Sequence, residues 1–86
     1  MKYLVIRASE EIKLVGTADT LAEAGEIMKA DLERFFCEYK ARTWKVDKKL
    51  DETSAELIGV RRCLPDEWGP YVDVTDTYKW QIVKMK

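Results

Sequence analysis

The sequence predicts an α+β fold, a two-layer domain in which a mostly antiparallel sheet carries one long helix on one face. Short apolar runs rich in β-branched residues lie on both sides of a single stretch with helical periodicity. That stretch opens on a capping box, and no internal repeat or low-complexity segment interrupts the chain. The resulting order is β-β-α-β-β, with room for extra short strands. The 86 residues make one domain, 1–86, and 47% hydrophobic content with a net charge of −1 argues against disorder.

Residues 2–7 (KYLVIR) read as a strand, residues 8–11 as a polar turn, and residues 12–17 (IKLVGT) as its hairpin partner. In Thr20-Leu21-Ala22-Glu23 the Thr20 hydroxyl can accept from the Glu23 N–H while the Glu23 carboxylate reaches back. From there apolar residues fall at 21, 24, 28, 32, 35 and 39, spacings of three and four, which predicts a helix over residues 21–40. Gly25 sits in that stripe, where a missing side chain is expected to let the helix approach a sheet. Trp44 and Val46 are compatible with a strand, and residues 47–54 read as a charged turn or mobile loop. Residues 55–63 form a further strand with Gly59 as a candidate bulge, and residues 64–70, holding both prolines, form a loop. Residues 71–74 read as a short edge strand and residues 78–85 as the last strand. The expected core sets Leu21, Ala24, Met28, Leu32, Phe35 and Tyr39 against Leu4, Ile6, Leu14, Leu57, Trp80 and Ile82.

Several chemistries lack their residues. There is no histidine, which removes the commonest general base near neutral pH and the commonest metal ligand. Cys37 and Cys63 stand 26 residues apart, without the paired spacing of a zinc or redox site. Cys37 is expected on the solvent side of the helix and Cys63 as a small buried apolar residue. Ser9 and Ser54 have no imidazole to activate them, and the glycines are scattered rather than grouped in a phosphate loop. The expectation is a protein that is not an enzyme and takes no cofactor or metal. No apolar run approaches the roughly 18 residues of a bilayer span, and the N-terminal apolar run is too short for a signal peptide. A cytoplasmic location without a membrane partner is expected.

Two segments are candidates for binding. The loop DEWGPYVD offers Asp66, Glu67, Trp68, Tyr71 and Asp73, and aromatics on a Pro/Gly loop anchor protein interfaces well. Alternatively, Trp68 and Tyr71 close one end of the core. Charge is uneven along the chain: residues 1–39 carry −3, residues 40–62 carry +3 and residues 63–86 carry −1. The basic middle, with Lys40, Arg42, Trp44, Lys45, Lys48, Lys49, Arg61 and Arg62, has the composition of a small nucleic-acid surface. Asp47, Asp51 and Glu52 interrupt it, so a solvated charged loop with Trp44 in the core is the competing reading. A protein partner is favoured over nucleic acid.

The segment DTLAEAGEIMKADL after a hairpin, with the late strand YKWQIV, resembles short uncharacterised proteins of Gram-positive gut bacteria and their phages. The likeness spans residues 15–32 and 78–83, and its motifs are a helix cap and a core strand. The resemblance implies a small accessory protein, of the kind that binds and blocks a host defence protein, and it assigns no activity or functional residue. The LPDEWGPYVDV segment departs from it. A homodimer is also expected, because Ile27 and Phe36 flank the helix stripe on opposite sides and a second copy can cover one of them.

Overall fold

The computed structural model describes residues 2–64 and 67–85. Strands β1 (Tyr3–Ala8) and β2 (Ile12–Ala18) form the expected hairpin, and helix α1 spans Leu21–Ala41. Strands β3 (Lys45–Leu50), β4 (Ser54–Cys63) and β5 (Val72–Lys84) follow as a meander. Every pair is antiparallel and the sheet order is β2-β1-β5-β4-β3, so β5 joins the two halves of the chain.

Helix α1 starts and stops by local chemistry. The Glu23 N–H donates to the Thr20 hydroxyl at 3.1 Å, as the capping box requires. At the other end Thr43 takes φ 58°, its N–H donates to the Lys40 carbonyl, and the Trp44 N–H donates to the Tyr39 carbonyl. This is a Schellman stop, completed by ring contact between Tyr39 and Trp44 at 5.7 Å. Between these ends Ala24, Met28, Leu32 and Tyr39 are buried, with Leu21 and Phe35 half-buried beside them, as the periodicity predicts.

The opposing layer departs from expectation in β1 and β2. Val5, rather than Leu4 and Ile6, enters the core, and Leu14 is 61% exposed. The register explains both: Val5 pairs with Gly16 while Ile6 pairs with Leu14, so Val15 is an extra residue in β2. A bulge there turns Gly16 and Ala18 toward the helix and sends Leu14 to the opposite face. Gly59, by contrast, sits in unbroken register and is not a bulge. It is the glycine that permits close packing, because a Cβ there would overlap the Tyr39 ring, whereas a Cβ on Gly25 meets nothing within 4 Å.

Two further corrections concern strands. Much of the expected charged loop 47–54 is the second half of β3, with Val46, Lys48 and Leu50 opposite the helix-facing residues of β4. Lys48 occupies an inward position with its Nζ over the Phe36 ring, 4.3 Å from the centroid, and paired with Glu33. The expected edge strand and last strand are one continuous strand, β5. Leu57, Trp80 and Ile82 are buried beneath the helix as expected. No helix among the described residues is long and apolar enough to cross a membrane.

Candidate functional site

Strand β5 is 13 residues long, about 40 Å of extended chain, and of its two neighbours only β4 accompanies it out to Val72. Pairing with β1 stops at Ala8 opposite Lys79, and β3 leaves β4 at Lys45 opposite Val60. Among the described residues, 61–63 of β4 and 72–74 of β5 therefore form a two-stranded arm with no third strand beside it. The radius of gyration is 15.3 Å, against about 12 Å for a compact chain of this length.

The end of this arm carries the aromatic loop. Trp68 is 94% exposed and Tyr71 67%, so neither closes the core. Glu67 and Asp73 are also exposed, and Asp73 meets Arg62 at 3.4 Å. Asp66 lies outside the described residues. Cys63 is half-exposed on the arm rather than buried, and Cys37 is exposed as expected.

Two carboxylates anchor the body behind the arm. Asp31, 8% exposed, accepts from Trp80 Nε1 at 2.7 Å, Arg7 at 2.7 Å and Arg34 at 2.8 Å. Arg7 and Arg34 also lie over the Phe35 ring, at 4.7 and 5.2 Å from its centroid. At the base of the arm Asp76 accepts from the Tyr39 hydroxyl at 2.5 Å and takes both prongs of Arg61, at 2.5 and 3.1 Å. Burial, then the bond to Asp76, pushes the Tyr39 hydroxyl well above the usual tyrosine range, so it stays protonated and donates. Hydrogen bonding to Asp76 likewise raises Arg61. These residues escape a search for chemical motifs; the available signal is an acid at an inward position of a helix or strand.

The basic segment does not form one surface. Lys48 and Arg61 face the helix side and are held by Glu33 and Asp76, while Lys45, Lys49 and Arg62 belong to the opposite face. Lys40 sits over Phe36 and Arg42 over Trp44. Trp44 itself is half-buried against the core.

Between the free edge of β5 and the C-terminal half of α1 lies an open cleft of about 690 Å3, walled by Phe35, Glu38, Tyr39, Tyr78 and the Ser9–Glu10 turn. No protein-family model, curated protein or solved structure matches this chain.

Proposed function

We propose that this protein is a non-catalytic protein-binding module that meets its partner at the end of the β4–β5 arm. The observation that carries this reading is Trp68, 94% exposed on a projecting arm in a chain with little apolar area to spare. Aromatic side chains on a short arm have few rotors to immobilise and a large contact area, which makes them effective anchors. Glu67 and Asp73 supply an acidic rim, which suits a partner surface with a basic border. The resemblance to short uncharacterised proteins of Gram-positive gut bacteria and their phages, which implies a small accessory protein, fits a module that acts by occupying and blocking a host protein.

Capture from host lysate with the wild type and a Trp68→Ala/Tyr71→Ala variant tests the reading. Because the tip lies outside the core, the variant keeps its unfolding free energy within about 0.5 kcal/mol of wild type. A partner recovered by the wild type and lost by the variant is the expected result. Equal recovery by both removes the arm tip as the interface.

A further inference from the structure

We propose that the free edge of β5 pairs with the same edge of a second copy of this chain, giving a two-fold dimer with one continuous sheet. The inference does not rest on the reading of the arm tip. The Ile82 N–H donates to the Thr53 carbonyl on the β4 side, and the Met85 N–H donates to the Lys2 carbonyl on the β1 side. Backbone groups alternate along a strand, so even-numbered residues of β5 point toward β4 and odd-numbered ones toward β1. Since β1 ends opposite Lys79, Asp73, Thr75 and Thr77 present their N–H and carbonyl groups to an open side.

An antiparallel copy centred on Thr75 satisfies all of these groups over residues 73–77, its chain turning away before Tyr71 because Ala8 holds the place opposite Lys79. Thr75 exchanges both bonds with the second copy's Thr75, and Asp73 does so with the second copy's Thr77. The register sets Val72 opposite the second copy's Tyr78, a β-branched–aromatic pair on the helix-side face beside the 690 Å3 cleft, and Val74 opposite Asp76, whose carboxylate is already held by Tyr39 and Arg61. On the other face Asp73 lies diagonal to the second copy's Lys79, an attractive pair made twice by symmetry. The edge also lacks the proline and lysine that commonly protect exposed strands from pairing.

The elongated shape leaves enough exposed surface for a second copy to cover. The chain exposes 6351 Å2, whereas a compact 10.0 kDa monomer exposes about 5,200 Å2. The excess of roughly 1,100 Å2 is comparable with the ~800 Å2 each partner gives to a standard interface. The helix flanks do not need this second copy. Ile27 packs over Gly16 and Phe36 lies under Lys48, both against the chain's own core.

Sedimentation equilibrium across a micromolar concentration series tests the proposal. The expected result is a concentration-dependent rise from 10.0 kDa toward twice that mass. Thr75→Pro and Thr75→Lys each weaken the dimer by about tenfold or more, because proline removes an outward N–H and lysine charges the edge. Circular dichroism of Thr75→Lys at low concentration shows that the fold is kept. In a Cys37→Ser/Cys63→Ser background, Thr75→Cys cross-links to itself, and Asp73→Cys cross-links to Thr77→Cys in a mixture. A single 10.0 kDa species at every concentration overturns the proposal and leaves the edge to a strand of another protein. A dimer that both edge variants leave intact, or cross-linking indifferent to position, also overturns it.

Discussion

The two halves of β5 have the same alternation and the same β4 neighbour, yet they live in different surroundings. From Lys79 to Lys84 the strand has β1 on its other side and α1 above it, and Trp80 is 1% exposed. From Val72 to Tyr78 it has β4 as its one strand partner among the described residues, α1 reaches it through Tyr39 at Asp76 and Phe35 at Tyr78, and Val72 is 45% exposed. Burial along one strand is therefore set by which neighbours accompany it, more than by its own sequence. Carboxylates show the same contrast. Asp31 is enclosed with three donors in the body, while Asp73 shares one exposed ion pair with Arg62 on the arm.

The largest expected effect separates those two acids. Asp31→Ala leaves the Trp80 indole N–H and the Arg7 guanidinium without their acceptor, and it is expected to cost about 3–5 kcal/mol in urea unfolding. Asp73→Ala, on the same assay, changes stability by less than about 0.5 kcal/mol. Similar losses for both would erase the distinction between body and arm. At the boundary, Gly59→Ala forces the Tyr39 ring aside and is expected to cost about 1–3 kcal/mol. Gly25→Ala has open space in α1 and gains about 0.5–1 kcal/mol. Reversed signs for the two glycines would contradict the helix–sheet packing.

A smaller effect concerns pH. The Tyr39 hydroxyl is held above its unfolded value, near 10, by burial and by Asp76. Its contribution is fully present below that pH and is lost as pH rises further toward the folded value. Tyr39→Phe is therefore expected to be less stable than wild type at pH 8, with the gap closing above pH 10. A gap that widens on the alkaline side would show that the tyrosinate, not the phenol, is favoured in the fold.

The helix was legible because its cap, its stripe and its stop are local, and Leu57, Trp80 and Ile82 followed from alternation. The bulge at Val15 was not legible, since one inserted residue leaves the apolar pattern of IKLVGT looking regular while it inverts the faces. Strand β3 was hidden by Lys48, whose ammonium takes an inward position because the Phe36 ring and Glu33 meet it there. The outer half of β5 was hidden by Asp76, which looks like a break in the strand until Tyr39 and Arg61 are seen to meet it. For the candidate site, the sequence located the aromatic loop but left its exposure open. The bare edge beside it depends on where β1 ends, a property of the sheet rather than of any one segment.

Amide hydrogen exchange along β5, followed from low to high protein concentration, tests the difference between the strand's two halves most directly. At the lowest concentration the amides of Lys79, Gln81 and Val83 are expected to exchange slowly, limited by unfolding of the body. Those of Asp73, Thr75 and Thr77 are expected to exchange rapidly there, and to slow as concentration rises and their edge is paired. Equal protection of both sets at the lowest concentration would contradict the account, because the outer half would then be covered within the chain.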